Sequence, residues 1–149
     1  MNKPNPIVQV MAKLARRYKT GDMQGAVTKS RWRRVEVTMH EIAHGFTLGL
    51  DMSNPHMSHF VSEKHDQLNK IASDAAEIEA CALEALVLKR FKVPVTAAML
   101  ASTAATMMKT EHYYRNPEAI ERDVGRAMRR KHVRELAWSC EHFLNEEAK

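Results

Sequence analysis

Residues 40–44 read His-Glu-Ile-Ala-His, two histidines four positions apart with a glutamate directly after the first. On an α-helix, positions i and i+4 lie on one face, so the imidazoles of His40 and His44 can reach one metal ion. Two neutral imidazoles leave open positions on a Zn²⁺-like ion, and the carboxylate of Glu41 can take a proton from water bound there. The pentapeptide therefore predicts a hydrolytic metal site with Glu41 as general base and then general acid.

The residues around this pentapeptide favour a helix and suggest a family. Residues 37–46 read Val-Thr-Met-His-Glu-Ile-Ala-His-Gly-Phe, and no proline lies between positions 37 and 50. This run closely resembles the helix signature of zincin metallopeptidases. The resemblance implies a zinc ion, hydrolysis of a peptide bond and a protein or peptide substrate. The alternative is a core or surface helix whose histidines pack together or pair with Glu41.

A site built on two histidines needs at least one more protein ligand. In metzincins the motif continues to a glycine and a third histidine, but Thr47 and Leu50 stand at those positions, which excludes that class. In gluzincins the third ligand is a glutamate on a later helix. Residues 71–91 are rich in alanine and leucine and contain no proline or glycine, so they predict such a helix.

Two glutamates of that helix, Glu77 and Glu79, compete for the role of third ligand. At about 100° per residue, Glu79 shares its face with apolar residues, whereas Glu77 falls on the opposite, polar side. An ionised carboxylate in an apolar stripe is costly unless it is paired or bound to a metal. We therefore predict Glu79 as the third ligand and a solvated position for Glu77. The alternative for Glu79 is a partly buried carboxylate paired with a basic side chain.

The segment around Glu79 carries a second family resemblance. Residues 77–84 read Glu-Ile-Glu-Ala-Cys-Ala-Leu-Glu. The Glu79-Ala80 pair resembles the Glu-Ala pair that follows the H-E-x-x-H helix in anti-repressor peptidases of mobile elements, the ImmA/IrrE type. Leu83 stands where an aromatic residue is usual in that family, and Glu84 where an alanine is usual. The resemblance covers a minor part of the chain and implies that the substrate is one specific protein.

A rival set of ligands lies between the two helices, at His56, His59 and His65. Families of the SprT type place a third histidine shortly after H-E-x-x-H, and the run from His56 to Phe60 resembles that segment. The sequence therefore leaves His56 or His59 open as the third ligand, against the alternative of a solvated, histidine-rich loop.

The metal itself is also open. Two histidines and a carboxylate form the facial triad of non-haem iron oxygenases, so Fe²⁺ is the alternative to Zn²⁺. The motif followed by a later acidic ligand is similar to elongation factor P hydroxylase. That resemblance implies a non-haem iron hydroxylase as the alternative function.

A zincin also needs a donor that stabilises the oxyanion formed during hydrolysis. His112 and Tyr113 lie in a predicted loop before Pro117 and are the best candidates for this catalytic role. The alternative is that the tyrosine packs the loop onto the core.

The elements that must position these residues are predicted to be helices. Prolines and glycines divide the chain into helical segments near 6–18, 30–50, 56–69, 71–91, 94–109, 117–128 and 133–143. Only residues 34–38 alternate as a strand does. We therefore predict one mainly α-helical domain over residues 1–149, with at most a small vestigial β-sheet. Typical zincins have a sheet before the motif helix, and its edge strand binds extended peptide.

Composition limits the setting of the protein. The chain has 149 residues, enough for a real core, and a net charge of +5. Its two cysteines, Cys81 and Cys140, lack the C-x-x-C spacing, which favours free thiols in a reducing compartment. The sequence shows no signal peptide and no run of 18 apolar residues, so we expect a cytoplasmic protein without a membrane span.

Two basic clusters, at residues 31–34 and 126–134, suggest a further partner. Clustered arginine and lysine is the electrostatic footprint of nucleic-acid binding. Carboxylates intersperse the second cluster, so a solvated helix face is the alternative. Besides the zinc hydrolase and the iron hydroxylase, the third candidate is therefore a non-catalytic helical module that binds DNA or protein. Its nucleic-acid contacts would be Arg31, Arg33, Arg34, Arg129 and Arg130.

Overall fold

A computed structural model describes residues 5–18, 31–49, 52, 74–93, 95–105, 108 and 110–149. Within these ranges the chain is mainly α-helical and contains no β-strand. The prediction of a mainly α-helical protein is confirmed. The alternating residues 34–38 lie inside a helix rather than a strand, so no vestigial sheet is present in the described part of the chain.

Seven helices are present in the described residues. They are α1 (Pro6–Tyr18), α2 (Arg31–Thr47), α3 (Asp74–Arg90), α4 (Ala97–Ala105), α5 (Glu111–Tyr114), α6 (Pro117–Met128) and α7 (Lys131–Glu147). The short helix α5 replaces the loop predicted before Pro117. The helix predicted near residues 56–69 lies outside the described residues. Both cysteines are free, as the sequence predicts, and both are buried.

Helix α3 lies at the centre of the packing. It packs against α2 on one side and against α6 and α7 on others, while α1 packs against α2. Most of its side chains are therefore buried. Burial of apolar surface from these helices forms the core. Its largest fully buried side chains include Ile7, Met11, Leu14, Met39, Ile42, Leu83, Leu88, Ile120 and Leu144.

The end of α3 is closed by a left-handed residue that is not glycine. Lys92 has a φ of 59°. The amide of Val93 donates to the carbonyl of Leu88 at 3.0 Å and that of Lys92 to the carbonyl of Lys89 at 3.1 Å. This arrangement caps the last carbonyls of the helix, and glycine favours it because a β-carbon disfavours positive φ.

We expect Lys92→Gly to raise the free energy of unfolding by about 0.5–1 kcal/mol, because removing the β-carbon relieves the left-handed strain. Urea denaturation measures the change. Lys92→Ala is the matched control, since it removes the same charge and keeps a β-carbon. A gain that is equal in both variants would mean that the charge, not the backbone, sets the effect.

Glu147, at the end of α7, forms ion pairs with two residues of α1. Its two carboxylate oxygens accept hydrogen bonds from the Arg17 guanidinium at 2.7 and 2.9 Å, and the Lys13 ammonium lies at 3.0 Å. The bonds from Arg17 hold the pKa of Glu147 below its ordinary value. A carboxylate with a lowered folded pKa contributes stability above its unfolded pKa and loses it as pH falls through the folded value.

We therefore expect Glu147→Gln to lower the free energy of unfolding by about 0.5–1 kcal/mol at neutral pH. This difference from the parent should shrink as the pH falls below about 4.5, where the carboxylate of the unfolded chain becomes protonated. Urea denaturation of both proteins at neutral and acidic pH measures it. An equal difference at both pH values would contradict an electrostatic origin.

Candidate metal centre

The two histidines of the motif meet each other on one face of α2, as their spacing predicts. The ring centroids of His40 and His44 are 4.6 Å apart, with the rings edge to face at 89°. Their Nε2 atoms are 3.1 Å apart. His44 is 1% exposed, and the side chain of His40 retains 12% exposure. Two imidazole nitrogens therefore converge in a buried position.

The carboxylate that joins these imidazoles belongs to Glu77 on α3. Its Oε2 atom lies 2.9 Å from Nε2 of His40, and its Oε1 atom lies 3.1 Å from Nε2 of His44. Among the described residues, these three side chains form a group able to hold a metal ion, with donor atoms all within 4.8 Å of one another. Glu77, and not Glu79, is thus the third member of this group.

The predicted burial of the two competing glutamates is wrong. Glu77 is only 6% exposed. The side chain of Glu79 retains 27% exposure and lies 3.8 Å from the imidazole of His132. Glu79 is therefore outside the donor group and beside a basic side chain, which was the alternative for it. Because several helices bury α3 nearly all round, the apolar stripe did not identify the face that meets α2.

One signal in the sequence identifies the correct face of α3. Asp74, Glu77, Cys81 and Glu84 are spaced by three, four and three residues, which is the spacing of one helix face. All four are buried. A polar stripe of this period on an apolar helix indicates contact with other polar groups. The histidines of α2 supply them for Glu77, Cys81 and Glu84, and the amide of Thr110 donates to Asp74 at 2.9 Å.

Glu84 contacts the other ring nitrogen of His40. Its Oε1 atom lies 3.0 Å from Nδ1 of His40, and the residue is 2% exposed. A proton on Nδ1 that is donated to Glu84 leaves the Nε2 lone pair facing His44 and Glu77. Carboxylates in this position orient metal-binding histidines and make them more basic. The sequence had indicated Glu84 only as a departure from the alanine of a related family.

We expect Glu84→Gln to weaken metal binding about tenfold and Glu84→Leu about a hundredfold, because glutamine retains an acceptor for His40 and leucine does not. Competition with a chromophoric chelator measures the affinities. Glu79→Gln is the control expected to match the parent, because it changes the same chemical group on α3 at a side chain that lies outside the donor group. Unchanged affinity in both Glu84 variants would contradict the role given to this carboxylate.

Hydrogen bonds within the cluster set its ionisation in the metal-free protein. Burial lowers the pKa of His40, but hydrogen bonds with Cys81, Glu77 and Glu84 outweigh this and raise the pKa well above 6.5. Burial raises the pKa of Glu77, but hydrogen bonds from His40 and His44 outweigh it and hold the pKa far below 4.5. A proton on His40 therefore supplies positive charge where a bound cation would otherwise do so.

The donor set fits a divalent cation. The Nε2 atoms of His40 and His44 are 3.1 Å apart, and the two carboxylate oxygens of Glu77 lie 2.9 Å from the first nitrogen and 3.1 Å from the second. Ligands about 2.1 Å from a metal are separated by about 3.0 Å in octahedral and about 3.4 Å in tetrahedral coordination. Glu77 and Glu84 place two buried carboxylates against the ring of His40. A divalent cation at this position would offset their negative charge in a buried site.

The remaining predicted catalytic residues lie in different places. Glu41 is 6% exposed on α2, directly after His40. His112 is exposed on α5 and outside the donor group. The hydroxyl of Tyr113 donates to the carboxylate of Asp123 at 2.7 Å, and this bond raises the pKa of Tyr113. Tyr113 would have to give up that bond to act on a substrate.

Other sequence predictions concern residues that the structure does not describe. The rival ligands His56 and His59 lie outside the described residues, and the side chains of Arg31, Arg33 and Arg34 are also outside the description. Arg129 and Arg130 are exposed between α6 and α7. No helix in the described ranges is long and apolar enough to cross a membrane.

No family model, no curated protein and no solved structure matches this chain. The side chains at the contact between α2 and α3 form a largely buried group of two histidines and one carboxylate, with a second carboxylate at the other ring nitrogen of His40.

Proposed function

We propose that this protein is a metal-dependent hydrolase whose cation is held by His40, His44 and Glu77. Zinc is the first candidate, because two histidines and a glutamate form one of its common catalytic ligand sets. The observation that carries the proposal is the convergence of two imidazole nitrogens and one carboxylate from two helices, with donor atoms all within 4.8 Å of one another. The H-E-x-x-H order of residues 40–44 adds a carboxylate suited to proton transfer.

A divalent cation in such a site polarises a carbonyl group and makes a bound water acidic near neutral pH. Glu41 comes from the same turn of α2 as His40 and is itself buried. Its carboxylate would accept a proton from the attacking water and return it to the leaving amine. Glu84 would keep His40 oriented through Nδ1 during both steps.

We propose a peptide bond in a particular protein as the substrate. The resemblance of residues 37–46 to the zincin signature favours peptide hydrolysis. General endopeptidases of that class bind extended peptides by adding a strand to a sheet edge. The described residues contain no strand, so recognition of a particular protein surface is favoured over general strand pairing.

The spacing of the two imidazole nitrogens also favours a second candidate, a non-haem iron hydroxylase. The 3.1 Å between Nε2 of His40 and Nε2 of His44 is closer to the value of about 3.0 Å for octahedral coordination than to about 3.4 Å for tetrahedral coordination. Two histidines and one carboxylate on one side of an octahedron are the usual ligands of such iron sites. In that case Glu41 has no role as a general base.

Elemental analysis of the purified protein, with His40→Ala alongside, tests the proposal. About one zinc per chain, lost in the variant, supports the hydrolase. Iron in place of zinc supports the hydroxylase. No metal in the parent, even after reconstitution, contradicts both and favours a non-catalytic helical module.

Thermal denaturation gives a second readout of the same site. A ligand at a hundred times its Kd stabilises the folded state by about 2.7 kcal/mol. For a domain of this size, that corresponds to a rise of about 5–10 °C in Tm. Zinc should produce this rise in the parent and not in His40→Ala, and a chelator should reverse it.

A further inference from the structure

One face of α7 carries basic and aromatic side chains and no carboxylate. At about 100° per residue, five exposed residues fall within about 80° of one another on this helix. They are Lys131, Arg134, Trp138, His142 and Asn145, and we call this set the basic-aromatic face. It spans about 21 Å along the helix axis. Glu135 lies at one edge, 3.9 Å from Lys131, and Glu141 lies at the other edge, where it pairs with Arg90.

Trp138 is the most unusual member of this face, because its large apolar side chain is 65% exposed. Tryptophan is normally buried over most of its surface. Its ring is stacked on that of His142, with centroids 5.9 Å apart and an angle of 9° between the planes. The two rings form a flat aromatic platform in solvent, which is the kind of surface on which unpaired bases stack.

Positive charge extends from this platform toward the start of α7. Arg129 and Arg130 are exposed in the turn before the helix, and Arg134 lies one turn into it. Among the described residues, none forms an ion pair with any of these three arginines. Their guanidinium groups therefore remain available to an external anion such as a phosphate.

We propose that the basic-aromatic face binds single-stranded nucleic acid. Arg129, Arg130 and Arg134 contact backbone phosphates, and an unpaired base stacks on the platform of Trp138 and His142. This combination of basic groups along a backbone and an exposed aromatic ring is how single strands are bound without sequence preference. The proposal involves none of the metal-site residues and holds whether or not the hydrolase is correct.

Two other anionic partners fit the face less well. A duplex keeps the faces of its bases stacked on one another, so Trp138 would have no base to meet. A membrane-surface helix inserts a broad apolar face, whereas the apolar face of α7 is buried in the core. The buried residues on that side are Val133, Ala137, Cys140 and Leu144.

Fluorescence anisotropy with a labelled oligo(dT) of about twelve nucleotides tests the proposal, using the full chain at about 50 mM salt. We expect Trp138→Ala to weaken binding about five- to a hundredfold and Trp138→Phe to retain most of it. Arg134→Ala should weaken binding and reduce the slope of log K against log salt by about 0.7. Arg115→Ala removes an exposed arginine beside α5 and is the control expected to match the parent.

Three results would overturn the proposal. The first is no binding by the parent protein at low salt. The second is equal affinity for a duplex of the same length together with no effect of Trp138→Ala. The third is sedimentation with phosphatidylglycerol vesicles, abolished by Trp138→Ala, in a protein that does not bind the oligonucleotide. Circular dichroism of each variant checks that the fold is kept.

Discussion

Glu77→Gln is expected to lower metal affinity on the order of a thousandfold, whereas Glu79→Gln leaves it unchanged. The reason is geometric. The carboxylate of Glu77 lies 2.9 Å from Nε2 of His40 and 3.1 Å from Nε2 of His44. An amide in its place supplies a neutral and weaker oxygen donor. Glu79 instead lies beside His132, outside the donor group.

The two substitutions are closely matched, because each converts a glutamate of α3 into glutamine, two residues apart. Competition with a chelator and metal content after gel filtration measure the affinities. Thermal denaturation without metal checks that Glu77→Gln still folds, since it removes a buried partner of His40. Normal metal binding by Glu77→Gln, with loss of metal binding in Glu79→Gln, would instead support Glu79 as the third ligand, as the helix faces predict.

Glu41→Gln is expected to keep its metal and to lose hydrolytic activity by about a hundred- to ten-thousandfold. Glutamine has nearly the same shape as glutamate but cannot accept a proton from water. Its neighbours His40 and His44 keep their imidazoles, so metal content should stay at the parent value. The loss should appear mainly in kcat, because proton transfer belongs to the chemical step.

A mixed peptide library, with products identified by mass spectrometry, supplies an assay before the natural substrate is known. The parent and Glu41→Gln are compared at equal zinc content. Full activity in the variant would contradict Glu41 as the general base. Loss of metal together with activity would instead make Glu41 a ligand. His112→Ala is a useful companion, because the exposed position of His112 on α5 predicts no change in activity.

Much of the local structure follows from the sequence alone. The bounds of α1 agree with the prediction, and α6 begins at Pro117, where proline suits the first turn of a helix. The convergence of His40 and His44 was also predictable, because a four-residue spacing depends only on the pitch of one helix. These features involve residues close together in the chain, and local backbone geometry determines them.

The choice between Glu77 and Glu79 depended on contacts between distant segments. A single amphipathic helix shows its buried face as an apolar stripe, but α3 is surrounded by α2, α6 and α7. Its side chains are buried in nearly every direction, so the position of the apolar residues does not identify the neighbour on each side. The polar face of Glu77 turned inward because the histidines of α2 could satisfy its carboxylate.

The sequence by itself determined a helical protein with two histidines and a glutamate on one turn of a helix. Only the tertiary structure decided that Glu77 completes the donor group, that Glu84 supports His40, and that Tyr113 is engaged by Asp123. Helical pitch is a local property, so the spacing of His40 and His44 in the chain is enough to predict that they share one face of the helix. The partner of a buried charge is set by which helices pack together, and the local pattern of one helix does not contain that information.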